Sequence, residues 1–276
     1  MKVETVDYRA ADAARVLTGS LRDTGFAVLS NHPITPQRIE AVYDAWGDFF
    51  AGEAKFDFAV TPPAHDGYFA FRSENAKDSP VKDLKEFYHV YPGCRLPDDI
   101  TALTREIYAD LESLGRELLG WIEAESPEAV TGGLEMPLGD MMEGSDQSLL
   151  RILHYPPVED AEPGAIRAAA HEDINLITLL LSGSKPGLQA RDSDGAWHDI
   201  ACDPGMITIN NGDMLALATG NHFPSTTHRV TNPDSGQNVS RYSMPMFLHP
   251  RPDAPLTADV TADQYLQKRL KEIGLK

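Results

Sequence analysis

From about residue 149 to residue 250 the chain is a series of short apolar runs, each closed by a turn. "LLRILHYPP" opens the series and "MPMFLHP" ends it, with "SGSKPG", "RDSDGAW", "DPG", "NNGD" and "NPDSG" between them. Gly, Pro, Asn and Asp adopt the backbone angles that turns need, so these segments interrupt any helix. Strand-length runs at roughly 8–12-residue spacing bury their apolar faces only by pairing into a sandwich, jelly roll or barrel.

The first half differs. Apolar spacing predicts helices over about 9–23 (Ala13, Val16, Leu17, Leu21), 36–51 (Ile39, Val42, Trp46, Phe49, Phe50) and 99–124 (Leu103, Ile107, Leu111, Leu114, Leu118, Leu119). A strand is expected at Phe26–Leu29 with a turn at Asn31–Pro33, and loop with short strands over 61–80. In the tail, Thr261 and Gln264 have capping-box spacing, and Leu266, Leu270 and Ile273 share a helical face. With 276 residues, 42% of them hydrophobic, the chain can build one large core. The expected fold is mainly β with flanking helices: a helical and mixed region over 1–145, a β core over 146–250 and a C-terminal helix over 251–276, packed as one unit.

The formal charge is −18, so phosphate backbones and anionic membrane surfaces are repelled, and no nucleic acid or membrane partner is expected. No run approaches the roughly 18 apolar residues of a membrane span, and the first residues lack the apolar core of a signal peptide, so a cytoplasmic location is expected. Cys94 and Cys202 have neither metal-site nor redox spacing and are expected to be ordinary reduced thiols. The oligomeric state is not legible.

The chemistry concentrates in "AAAHEDINLITLLLSG" (168–183), where three polar residues precede an apolar run. Residues two apart on a strand share a face, so His171 and Asp173 are expected to point together and Glu172 away. Such a pair is either two solvated polar side chains or two of three ligands. His228, in "STTHRV" 57 residues on, is the candidate third. Two histidines and a carboxylate with open positions form the facial triad of non-haem Fe(II) oxygenases. In "RYSMPMFLHP", Arg241 and Ser243 share a face of an otherwise apolar strand. An inward Arg there needs an anion, supplied either by an acidic side chain or by a bound carboxylate.

Together these residues resemble the iron- and 2-oxoglutarate-dependent dioxygenase superfamily, in its isopenicillin-N-synthase-like branch. The matching motifs are His171-x-Asp173, His228 and Arg241-x-Ser243, joined by "ITLL", "GLQ", "DGAW", "NNGD" and "STTHRV". In the first half, "GFAVLSNHPI" and "DLKEFY" match as well, so the likeness covers nearly the whole chain. The resemblance implies a double-stranded β-helix (jelly-roll) core and Fe(II) on His171, Asp173 and His228. It implies that Arg241 and Ser243 hold the distal carboxylate of the co-substrate 2-oxoglutarate, with O2 at the iron. Tyr155, in "HYPP", lies where members place a tyrosine on the same carboxylate; it also fits a buried strand position. The implied activity is oxidation of a small-molecule substrate, by default hydroxylation, with release of succinate and CO2.

Two departures stand out. Leu153 replaces an Asn common two residues before that tyrosine, and the interval from His228 to Arg241 is 13 rather than about ten, which reads as a longer hairpin loop. Asn210 is expected to face the site; Phe69, Phe71 and Phe87 are pocket candidates or core. The rival readings are an oxidase on the same triad that uses no 2-oxoglutarate, a non-catalytic metal-binding sensor or scaffold, and, least supported, a zinc hydrolase.

Overall fold

The computed structural model describes residues 1–62, 64–74, 82–157, 166–201, 203–232 and 238–272. The first half contributes β1 (Thr5–Asp7), α1 (Ala13–Thr24), β2 (Phe26–Ser30), α2 (Pro36–Ala51), β3 (Gly67–Phe69), β4 (Glu86–Val90), α3 (Asp98–Ala124) and the short α4 (Glu128–Thr131). The second half contributes β5 (Leu149–Tyr155), β6 (Ala168–His171), β7 (Ile177–Leu181), β8 (Leu188–Arg191), β9 (Trp197–Asp199), β10 (Ile207–Asn211), α5 (Asp213–Ala218), β11 (His228–Val230) and β12 (Arg241–Leu248). A small hairpin, β13 (Pro255–Thr257) with β14 (Val260–Thr261), leads into α6 (Ala262–Glu272).

Two sheets result. The larger has the order β1-β2-β10-β7-β12-β5-β4-β3 and the smaller β6-β11-β8-β9. From β5 to β12 the chain crosses repeatedly between them, the winding expected of a jelly roll. Strands of the first half extend the large sheet on both sides, so β4, carrying "DLKEFY", borders the core strand β5. The β1–β2 pair is parallel and the remaining pairs are antiparallel.

The helices lie where periodicity placed them, because their apolar stripes bury against the large sheet. Ile107, Leu111, Leu118 and Leu119 of α3 have no exposed surface. Trp46 of α2 is equally buried and donates its indole N–H to Thr104 Oγ1 of α3 at 3.0 Å. The capping box of α6 is reciprocal: Thr261 N donates to Gln264 Oε1 (2.9 Å) and Gln264 N to Thr261 Oγ1 (3.4 Å). Leu266 packs on the core, whereas Ile273 lies outside the described residues.

Three expectations need correction. The segment after His228 is not a hairpin, because β11 belongs to the small sheet and β12 to the large one; it crosses between layers, and residues 233–237 of it lie outside the described ones. "NNGD" is not a plain turn: its asparagines end β10 and its aspartate starts α5. A first strand, β1, precedes α1. Cys94 is buried and free, and Cys202 lies outside the described residues. Among the described residues no helix is long and apolar enough to cross a membrane.

Candidate active site

His171 and His228 are a directly opposed pair across the β6–β11 ladder. That pairing closes the 57-residue interval between them. Asp173 arrives differently. The strand ends at His171, so Asp173 does not share its face by strand alternation; it sits in the crossing from β6 to β7. The crossing turns its carboxylate back under both imidazoles, with Oδ1 at 3.8 Å from His171 Nε2 and 3.7 Å from His228 Nε2. One ligand atom from each residue lies within 4.8 Å of the others.

Each side chain is fixed through its remaining polar atom. His171 Nδ1–H donates to the carbonyl of Ala169 (2.8 Å) and His228 Nδ1–H to that of Thr226 (3.1 Å), which leaves both Nε2 lone pairs aimed at the common point. Asp173 Oδ2 accepts from Thr178 Oγ1 (2.6 Å) and Asn210 Nδ2 (2.8 Å), leaving Oδ1 for that same point. Burial, and then the neighbouring His228, press the His171 pKa down to about 4, so the ring is a neutral donor near neutral pH. Burial pushes the Asp173 carboxyl up, but His228, His171 and the two hydrogen bonds outweigh it, and the group stays ionised. Two imidazoles and an ionised carboxylate with converging lone pairs fit a divalent ion.

Local glycines make the convergence possible. Gly25, in "TGFAVL", has φ of +74°, and a Cβ there would lie 2.2 Å from Thr226 Oγ1, so the backbone before His228 packs directly onto the start of β2. Phe26 then meets the His228 ring edge-on at 5.7 Å. Glu172 is not among the converging ligand atoms and accepts a hydrogen bond from Thr227 Oγ1.

Arg241 and Ser243 lie on β12 of the larger sheet. Arg241 pairs with Tyr155, and Ser243 with Leu153, on the β12–β5 ladder. Arg241 is 2% exposed; its Nε donates to Lys185 O at 3.0 Å, its guanidinium carbon lies 5.2 Å from the Tyr155 ring centroid, and Nη1 is buried with no partner among the described residues. A buried guanidinium with an unmet N–H is costly unless an anion completes it. The acidic partner of the competing reading is not present among the described residues.

Comparison with known proteins agrees with this geometry. Residues 146–250 match the 2OG-Fe(II) oxygenase superfamily model, and residues 4–108 match the N-terminal model of a non-haem dioxygenase in morphine synthesis. A candidate oxygenase from Shewanella oneidensis is 50% identical, each chain covered in full, with a TM-score of 0.91. A candidate 2OG-Fe(II) oxygenase family protein from Caulobacter crescentus is 35% identical over 98% of this chain and 99% of its own, with a TM-score of 0.81. The chain belongs to the 2OG-Fe(II) oxygenase superfamily. A third structure, a full-length Neurospora crassa protein in complex with α-ketoglutarate (2-oxoglutarate), is 25% identical over 97% of this chain and 95% of its own, with a TM-score of 0.79. As a superfamily member the protein is an oxidoreductase that uses Fe(II), 2-oxoglutarate and O2.

This oxygenase also buries charges that sequence reading passed over. Beside β4 and β5, Lys85 Nζ lies 2.9 Å from both Glu74 and Asp83. Arg151 lies 3.3 Å from Glu74 and donates through Nε to His89 Nε2 at 2.8 Å. His89 donates in turn to His65 O. Burial alone would neutralise these groups; instead Arg151 and Lys85 hold the Glu74 carboxyl well below the carboxylate range, and Glu74 and Asp83 raise the Lys85 ammonium. Burial, and then Arg151, keep His89 neutral. The Arg151 guanidinium lies 4.9 Å from the Phe87 ring and 5.8 Å from that of Phe247. Phe69 stacks on Phe87 at 4.6 Å, whereas Phe71 is exposed and forms no part of this group. Asp83 ties the cluster to the triad: its Oδ1 accepts from the amide of Ala169, whose carbonyl holds His171. Only the alternation "KEFYH" hinted at it, by placing Lys85, Phe87 and His89 on one face.

Proposed function

We propose that His171, Asp173 and His228 bind Fe(II), and that Arg241, with Tyr155 and Ser243 beside it, binds the distal carboxylate of 2-oxoglutarate, in an oxygenase that hydroxylates a small molecule. The observation that supports this reading is the tied-off triad in one chain with a buried guanidinium whose Nη1 has no partner among the described residues. Bound iron and 2-oxoglutarate supply O2 activation, with release of succinate and CO2. The chain's own residues would supply three ligand atoms to the ion; Ala169 and Thr226 fix the imidazole orientation, and the surroundings of Asp173 keep it ionised. One core cluster runs from Val6 through Leu150 to Ala262, which supports the reading of regions 1–145, 146–250 and 251–276 as a single unit.

The test is to add Fe(II) and then 2-oxoglutarate to metal-free protein without O2 and record the visible spectrum. A weak charge-transfer band requiring both additions, and lost in His171→Ala, is expected. Iron binding without such a band would reject 2-oxoglutarate as co-substrate and favour an oxidase on the same triad.

A further inference from the structure

Arg167 lies four residues before the first iron ligand, outside the Arg241–Ser243 pair, and is 4% exposed. Its guanidinium carbon lies 6.0 Å from the Tyr155 ring, the same ring that Arg241 approaches at 5.2 Å. Two buried cations therefore converge on one tyrosine. Among the described residues neither forms an ion pair; Arg167 donates Nη2 to the carbonyl of Val239, two residues before Arg241. Lys85, beside the adjoining strand, is by contrast matched by two carboxylates at 2.9 Å. Paired like charges in a low-dielectric interior repel one another, and burial together with Arg241 lowers the proton affinity of Arg167. Such an arrangement is stable when an anion sits between or beside the two groups. The Nη1 of Arg241, buried and without a partner among the described residues, marks where that anion belongs.

We infer that Arg167, the residue before β6, is a second cation for the distal carboxylate of 2-oxoglutarate, acting with Arg241 to select a dicarboxylate over a 2-oxo monoacid. This rests on the reading of Arg241 given above. Arg241 supplies the direct fork, and Arg167 adds charge and fixes the loop carbonyl of Val239, so the site discriminates by net charge as well as by shape.

The test uses the Fe(II)-loaded full chain without O2, titrated with 2-oxoglutarate and, separately, with 2-oxovalerate, which keeps the chelating end and lacks the distal carboxylate. In Arg167→Met, 2-oxoglutarate is expected to bind about tenfold more weakly, the scale of one lost charge-assisted contact. Binding of 2-oxovalerate is expected to be unchanged, and Arg167→Lys to recover most of the loss. Equal weakening of both acids, or no change for 2-oxoglutarate with only a lower Tm, would overturn the inference and make Arg167 a structural partner of an acid within the chain. If wild-type protein binds iron yet prefers neither acid, the reading of Arg241 fails, and this inference fails with it.

Discussion

The hydroxyl of Thr178 makes two bonds: it donates to Asp173 Oδ2 and accepts from Asn175 Nδ2 at 2.9 Å. Groups that orient a metal ligand typically change metal affinity by ten- to a hundredfold when removed. Thr178→Val keeps the shape, removes the donor to Asp173 and leaves the Asn175 amide short of an acceptor. Iron affinity, measured by competition with a chelator, is expected to fall about tenfold, and Thr178→Ser to restore it. An unchanged affinity would show that Asn210 alone suffices to hold the carboxylate. At this scale the sequence was uneven. The convergence of His171, Asp173 and His228 and the burial of Arg241 were legible because few residue types are placed so for other reasons. Thr178 was not, because a β-branched residue in a buried strand has an ordinary reason to be there.

Among the elements, the turn between β10 and α5 sets how closely the crossing after His171 can approach. Gly212 lies against Asn175: an added Cβ would sit 2.2 Å from both its carbonyl oxygen and its Oδ1. Next to it, Asp213 N donates to Asp173 O at 2.7 Å and Gly212 N to Leu176 O at 2.9 Å. A carbonyl flanked by such bonds cannot step aside as a side-chain tip can. Gly212→Ala is therefore expected to cost roughly 1–3 kcal/mol by overpacking, seen as a lower denaturant midpoint, and to weaken iron binding with it. Gly139→Ala serves as control, since its Cβ would meet nothing within 4 Å. Equal stability of the two variants would mean that the crossing is not clamped by this turn. Helix positions were legible because a 3.6-residue stripe is local information. The strand runs were legible as runs, but not which sheet each joined: a crossing and a hairpin have similar composition, and the difference lies in partners far along the chain. Hence the segment after His228 read as a hairpin, and Asp173 as a strand residue.

For the whole molecule, two electrostatic effects oppose each other as pH falls. The formal charge of −18 means that protonation relieves general repulsion, which favours the folded state. Buried neutral histidines act the other way. Burial lowers the His249 pKa to about 4 and the His89 pKa well below its ordinary 6.5. A histidine with a depressed folded pKa binds protons more readily when unfolded, so stability is lost as pH drops through 6.5 toward the folded value. Glu74 adds the same sign lower down: its folded pKa is depressed, so its contribution is present above the ordinary carboxylate value near 4.5 and disappears below it. Repulsion between surface charges is screened over about 8 Å at physiological salt. A buried group shifted by two or more pKa units carries on the order of 2–3 kcal/mol. The buried groups should therefore prevail. The Tm of metal-free protein at about 0.15 M salt is expected to be flat above about pH 7, to fall below roughly pH 6.5 and to fall more steeply below about 4.5. His249→Gln should make the first decline shallower, with His89 still contributing, and leave the second. A Tm that rises on acidification through about pH 6 would show that relief of the −18 charge dominates, and that the buried histidines are more accessible to protons than their packing implies.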